Sequence, residues 1–489
     1  MTIRQLALIL PVVIPLLVAL ASYALGWSRP ARWLGLASPL ALALGAIATY
    51  SGPSIHMLGS IIYADAMTAF MLFTISAVSL LATVASWSYL KLGTSGDQAS
   101  VHKARQYLVL LQIFLAAMSG AIISDNLGLI WVAIEATTIS TAFLVAHKGT
   151  SKALEAAWKY VIICSFGITL AFFGTVLLYY SATHAGLTSA QALDIHYLIS
   201  AAPKMHNGAT RLALGLLLLG YGAKVGLVPF HTWLADAHSQ APAPISALMS
   251  GVLLSVSLGI LLRIKTVADL SVGSALFQKG LLIMGLATIV VAALLLIEQR
   301  DFKRLFAYSS LENMGVIAVA ASIGTRTAIF ALLLQVFAHG IAKSTAFIAS
   351  GQIQDRIGST AIADVSDLAR QSPRVAFALG LATVALLGFP PFAIFSAEAT
   401  IGYSLGASGG IVILLLAAVA LLIGFGSIFR HVSAMLFSKG PSATSRFAIS
   451  KLESMTLALG IAISLYVGLF AQPLMTVIEQ AGSALGAIR

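Results

Sequence analysis

Apolar runs of eighteen or more residues recur from end to end of this chain, each long enough to cross a hydrocarbon core of about 30 Å as a helix. In lipid every backbone N–H and C=O must find its partner within the protein, so such runs fold as helices packed side by side. The first run, Leu6 to Trp27, is followed at once by another apolar stretch rather than by a cleavage site and soluble sequence, and reads as a membrane helix, not a signal peptide. Hydrophobic residues make up 59% and charged residues 9% of the 489, where a soluble domain carries about 25% charged residues. Water is not the main solvent of this chain. The net charge of +11 fits basic membrane loops better than nucleic-acid binding. Cys164 is the single cysteine and lies in an apolar segment, so no disulfide framework or thiolate set for a redox centre is expected, and any redox chemistry belongs to partners.

Charged and Pro/Gly-rich breaks divide the sequence into about fourteen spans, near residues 5–27, 33–51, 64–90, 107–124, 127–146, 156–181, 209–233, 243–264, 275–297, 304–322, 326–350, 374–397, 402–430 and 453–475. No soluble domain fits between them. Loops after odd-numbered spans carry Arg29, Arg32, Lys103, Arg105, Lys148, Lys152, Arg300, Lys303, Arg304, Lys439 and further cations, whereas even-numbered loops hold only Lys204, Arg211, Arg263, Lys265, Lys279 and Arg326. The bias predicts odd loops in the cytoplasm and both termini on the opposite face of a cell (inner or plasma) membrane. Lys159, Lys224 and Lys343 escape this sorting, because each sits inside an apolar helix.

A Lys or Asp at the centre of a membrane helix costs about 2.5 to 3.5 kcal/mol on insertion scales, which makes intramembrane charges the informative residues. Glu135, Lys224, His339, Lys343 and Glu398 all lie in otherwise apolar segments. A Lys/Glu pair can trade a proton when its separation changes, and His339 and Lys343, four apart, share one helix face. Pro229 follows Lys224, and Gly388, Pro390 and Pro391 precede Glu398, so both helices should be interrupted at mid-membrane depth. Broken helices five spans apart suit two inverted repeats of five helices. The chain then divides into an N-terminal segment 1–104, repeats 105–265 and 266–432, and a C-terminal segment 433–489. The plain alternatives are ion pairs that fix packing and prolines that only shape kinks. Lys159 could tune Glu135 or reach the interface by snorkelling, while Asp65, Glu155 and Glu312 lie near expected helix ends.

The segment from Lys224 to Gly251 reads KVGLVPFHTWLADAHSQAPAPISALMSG, and IWVAIEATT, QRDFKRLFAYSSLENMG, FAHGIAKSTAF and GFPPFAIFSAE accompany it in order. Together they closely resemble the antiporter-like subunits of complex I, of Mrp cation/proton antiporters and of membrane-bound hydrogenases, most of all the hydrogenase-4 component F type. The resemblance implies an all-α membrane fold with discontinuous helices 7 and 12. It also implies an input half-channel at Glu135 and Lys224, a central hydrated axis at His339 and Lys343, and an output half-channel at Glu398. The eighth-helix lysine of some relatives falls on Ser255, which leaves His231 and His238 as candidate links, or as plain interfacial histidines. Asn313, beside Glu312, stands where complex I relatives often carry histidine. The implied partners are other membrane subunits and a peripheral iron–sulfur, nickel–iron or NADH-oxidising arm; the transported ion is the proton, with sodium open. The chain itself would hold no cofactor and do no bond chemistry. The rival readings are an Mrp-type antiporter subunit or part of an inorganic-carbon uptake complex. No metal-ligand spacing or phosphate-cradling loop occurs, and no long lateral helix is expected at the C-terminus.

Overall fold

The computed structural model describes residues 2–26, 28–93, 98–438 and 446–486, so Lys439 lies outside the described residues. Its helices are, in the first third, α1 (Ile3–Leu25), α2 (Arg29–Leu34), α3 (Ala37–Tyr50), α4 (Ala66–Gly93), α5 (Gln98–Ile123), α6 (Leu127–Val145) and α7 (Ser151–His184). The middle holds α8 (Ile195–Ala201), α9 (Gly208–Val225), α10 (Trp233–Gln240), α11 (Ala243–Leu248), α12 (Leu254–Ser271), α13 (Ala275–Ile297) and α14 (Phe302–Ile323). The last third holds α15 (Arg326–Ile357), α16 (Leu368–Gln371), α17 (Pro373–Leu386), α18 (Ala393–Ala407), α19 (Ile411–Phe437), α20 (Lys451–Leu469) and α21 (Gln472–Ala484). A short hairpin of β1 (Ile55–Met57) and β2 (Ile62–Ala64) fills the turn before α4.

Among the described residues, twelve helices are long and apolar enough to span a membrane. Two further apolar segments, α9–α10 and α17–α18, are interrupted where the sequence predicts discontinuous helices. The protein is therefore an all-α, multi-span membrane protein. A widened turn at Met249–Leu253 joins α11 to α12. The apolar window of that joined helix is 100% buried, against 28% for α19 and for α20. The helix across 243–271 is thus the axis of the bundle, and α19 and α20 lie against lipid.

Local chemistry sets the helix starts. Asn126, Thr150, Asn207, Asp301 and Thr325 each accept a backbone N–H from the first turn of the helix they precede, and Ser450 with Glu453 closes a capping box. Small residues set the closest crossings. A Cβ on Gly220 would stand 2.5 Å from the Ala171 nitrogen, and one on Gly315 would stand 2.8 Å from the Gly285 oxygen. Helix pairs α7/α9 and α13/α14 can therefore meet backbone to backbone, as small-residue packing in lipid allows.

Several boundaries differ from the sequence expectation. Asp301 caps α14, so Lys303 is not a loop cation but a helical residue with no exposed surface. Glu312 lies inside α14, 5% exposed, rather than at a solvated end. The last expected span stops at Leu469, and α21 continues as a separate short helix begun by Pro473. Asp65, by contrast, does sit at a helix start, where Thr68 N–H donates to it (2.9 Å) and Arg263 pairs with it (2.7 Å), tying α12 to α4.

Asp125 orders the turn between α5 and α6, outside the spans. Its Oδ2 accepts the His196 N–H (3.1 Å), while its Oδ1 is buried without a protein partner. Burial pushes this carboxyl up from 3.8 to about 6. A raised carboxyl stabilises the fold while protonated, so the contribution is full below the unfolded value and is lost as pH rises through about 6. Asp125→Asn, which keeps the acceptor, should therefore gain thermal stability relative to wild type across that window. A wild-type-to-variant difference in unfolding midpoint that stays constant with pH would contradict this.

Candidate functional site

The first break begins where α9 ends on Gly226, whose φ of +89° suits a residue without Cβ. A cis Val228–Pro229 bond follows, and α10 resumes at Trp233. Two of the backbone groups at the break find side-chain partners within the protein. Val228 N–H donates to Thr288 Oγ1 (2.9 Å), and Trp233 Nε1 donates to the Ala223 carbonyl (3.1 Å). Lys224, one turn before the break, has no exposed surface. Its Nζ donates to Thr138 Oγ1 (2.8 Å) and Tyr160 Oη (2.7 Å), with the Tyr160 ring centroid 4.9 Å away.

Glu135 is not in contact with Lys224. Its Oε1 accepts from Ser165 Oγ (2.7 Å), and its Oε2 is buried with no protein partner. On α6 it shares a face with Val132 and Ile139, 55% and 54% exposed, near the outer surface of the bundle. Thr138, one turn further along α6, faces inward and takes the lysine instead. The expected pair is thus a string, with Thr138 and Tyr160 at the lysine end and a carboxylate toward the periphery.

The centre of the bundle holds buried groups from α10, α12, α14 and α15. His238, His339 and Lys343 have no exposed surface, and Ser255 has 1%. Both ring nitrogens of His238 and of His339, and Ser255 Oγ, have no protein partner. Buried polar atoms are almost always hydrogen-bonded, so these orphaned atoms are sites suited to an ordered water. His238 is wedged between the rings of Trp233 (6.1 Å) and Phe347 (5.8 Å). Lys303 Nζ donates to the Ala241 carbonyl (2.6 Å). A small cavity of about 20 Å³, room for one water, lies between α4, α11, α15 and α20 and is lined by Lys148, Gln352, Asp355 and Glu453.

From Lys343 a continuous set of hydrogen bonds reaches Glu398. Lys343 Nζ donates to the Phe306 carbonyl (2.7 Å) and to Ser309 Oγ. Asn313 Nδ2 donates to the Ser309 carbonyl (3.0 Å), and Gln335 Nε2 donates to both Asn313 Oδ1 (2.8 Å) and Glu398 Oε1 (3.3 Å). Glu398 itself follows the second break, which Gly388 (φ +64°) and a cis Pro390–Pro391 bond introduce. A Cβ on Gly388 would stand 2.7 Å from Glu398 Oε2, so glycine makes room for the carboxylate as well as the turn. Glu312 packs against Gly424, with its Oε1 unpartnered.

His231 lies in the loop between α9 and α10, half-buried, and its Nδ1 has no partner. Among the described residues it makes no hydrogen bond or ring contact with His238 or Lys224. Lys159, 49% exposed, pairs with Glu155 (2.7 Å) and Asp236 (3.3 Å), and Arg304 also binds Asp236 (2.5 Å). It anchors α10 at the interface rather than acting on Glu135. Gln335, Tyr160 and Thr138 carry the geometry but are not marked by charge, and Lys303 reads in sequence as a loop cation. For Gln335 a signal exists, since 335, 339 and 343 recur every four residues on α15. No group of residues that could hold a metal ion occurs among the described residues.

Comparison with known proteins adds a second line. Residues 124–424 match the family described as NADH:quinone oxidoreductase/Mrp antiporter, transmembrane. A hydrogenase-4 component F homolog of Methylacidiphilum infernorum is 42% identical over 296 residues, 60% of this chain and 62% of that protein, so the match spans less than two thirds of the relative. The fold superposes on a chain of an archaeal respiratory complex, the membrane-bound sulfane sulfur reductase, with a TM-score of 0.88 at 24% identity, covering 98% of each chain. A chain of the Mrp complex from a Dietzia species gives a TM-score of 0.86 at 20% identity, covering 99% of this chain and 98% of that one.

Proposed function

Because the chain belongs to the NADH:quinone oxidoreductase/Mrp antiporter transmembrane family, we propose that it is the proton-translocating membrane subunit of a multisubunit, redox-driven complex of hydrogenase-4 or complex I type. The observation that carries this is the line of buried polar groups from Lys224 through His238 and His339 to Lys343, continued by hydrogen bonds to Glu398. A structural role would favour paired, fully satisfied charges. Here the two imidazoles are fully buried without protein partners, and both lysines are held by neutral oxygens.

Protons enter from the cytoplasm near Glu135 and pass by Thr138 and Tyr160 to Lys224. From there water carries them past His238 and His339 to Lys343, and they leave by Glu398. His231 lies off this line. The driver is a charge change in a neighbouring membrane subunit, felt first at Glu135 because that residue lies near the periphery. Redox centres belong to a peripheral iron–sulfur, nickel–iron or NADH-oxidising arm, and this chain holds no cofactor. The two halves, 105–265 and 266–432, are read as inverted repeats, a reading supported by the likeness of the two breaks, each with a positive-φ glycine two or three residues before a proline. Both termini face away from the cytoplasm of a cell membrane. The 42% likeness to a hydrogenase-4 component favours this reading over a cation/proton antiporter without redox partner.

The parent complex, purified and sealed into liposomes in sodium-free buffer, should acidify or alkalinise the lumen when its electron donor is added, read by a pH dye. Lys224→Ala should slow this several-fold while subunit composition and electron transfer persist, because Thr138 and Tyr160 can still hold water in the lysine's place. Unchanged proton movement in an intact Lys224→Ala complex would sink the pathway, and dependence on sodium would select the antiporter reading.

A further inference from the structure

We propose that the pocket where α1 ends, α5 begins and α6 ends binds the headgroup of an anionic phospholipid, with one acyl chain running along its apolar half. The pocket encloses about 570 Å³, in the range that holds a small organic ligand. One half is polar, with Lys103 and Arg105 supplying the charge and the imidazoles of His102 and His147 beside them. Arg105 Nη2 lies 2.8 Å from His102 Nδ1, and its guanidinium sits 4.9 Å over the Tyr23 ring. These contacts orient the guanidinium without neutralising it. Among the described residues no carboxylate lies within 4 Å of any of the four basic side chains. Two neighbouring cations, Lys103 and Arg105, with no counter-ion among the described residues call for an anion.

The other half is apolar, formed by Val109, Leu110 and Phe143, the last 62% exposed on the outside of the bundle. Val109 and Leu110 lie one turn beyond Arg105 on α5, about 6 to 7 Å deeper at 1.5 Å per residue. That step from cations to hydrocarbon has the depth of a headgroup boundary, about 5 to 10 Å. A free phosphate would leave this apolar wall unused, and a neutral lipid would leave the two cations uncompensated. Basic pockets between membrane helices suit anionic headgroups for this reason, and the pocket lies at the end of the bundle that the basic loops assign to the cytoplasmic leaflet. The site stands apart from the proton pathway and does not depend on it.

The test uses the parent complex, stripped of lipid in detergent and titrated separately with phosphatidylglycerol and phosphatidylcholine, with retained lipid counted by native mass spectrometry. Wild type should retain one more phosphatidylglycerol than the Lys103→Gln/Arg105→Gln complex, with at least tenfold tighter binding at about fivefold per charge, and phosphatidylcholine should not distinguish them. Tens of millimolar inorganic phosphate should not displace the lipid. Equal phosphatidylglycerol retention, equal response to phosphatidylcholine, or displacement by phosphate would each overturn the proposal. Should the double variant fail to assemble, Phe143→Trp in the otherwise native chain decides. Its fluorescence should be quenched more by brominated phosphatidylglycerol than by brominated phosphatidylcholine at equal mole fraction, and equal quenching would overturn the site.

Discussion

Lys343→Met is expected to abolish proton translocation while the protein folds and assembles. The side chain has no exposed surface, and its Nζ is bound by the Phe306 carbonyl and Ser309 Oγ. Both acceptors keep other partners when the amine is removed, since Ser309 Oγ donates to the Phe306 carbonyl (3.0 Å) and Asn313 still donates to the Ser309 carbonyl. Replacing a buried charge by an apolar chain of similar length is often neutral or stabilising, so the fold should survive. Proton transfer has no such substitute. Lys343 is the one titratable side chain on this path between His339 and the hydrogen bonds that reach Glu398, and a positioned acid–base group contributes about 10²- to 10⁴-fold. The initial rate of dye response in liposomes should drop by at least about tenfold. Lys343→Arg should fail as well, because guanidinium keeps the charge and does not release its proton. Retained pumping in the arginine variant would mean that a fixed charge suffices, and retained pumping in the methionine variant would remove Lys343 from the path.

The spans were legible because lipid admits one backbone solution, and the breaks at Pro229 and Pro390–Pro391 because proline cannot donate into a helix. Buried Lys224, His339 and Lys343 and half-buried Glu398 stood out because charge in an apolar run is expensive. What sequence could not give is side-chain direction. Glu135 and Thr138 are three residues apart on α6, yet the threonine meets Lys224 and the glutamate points to Ser165 and the periphery. Lys303 was hidden among the charges of QRDFKR, where only the capping by Asp301 reveals that a helix has already begun and turned the lysine inward. His231 and His238 look alike in sequence, but a helix carries one into the core and a loop leaves the other half-buried.

Gln335 shows the same limit from the other side, since a neutral amide leaves no mark on hydropathy. Its Nε2 is the one donor that touches both Asn313 and Glu398, and Gln335 has no exposed surface. Gln335→Leu keeps the volume but strips Asn313 Oδ1 of its donor and leaves Glu398 Oε1 without this hydrogen bond. Each polar atom left unsatisfied in a buried site costs about 1 to 3 kcal/mol, so the variant should be destabilised by about 2 to 6 kcal/mol in all unless water moves in. A lowered unfolding midpoint alone would describe a packing residue. The discriminating measurement is a double-mutant cycle with Glu398→Gln, read both as stability and as proton flux. If Gln335 acts by holding the Glu398 carboxylate, the second substitution should add little flux loss to the first, with a coupling of about 0.5 to 3 kcal/mol. Simple additivity in flux would separate the two residues, and the output end of the path would then run from Lys343 to Glu398 by water alone.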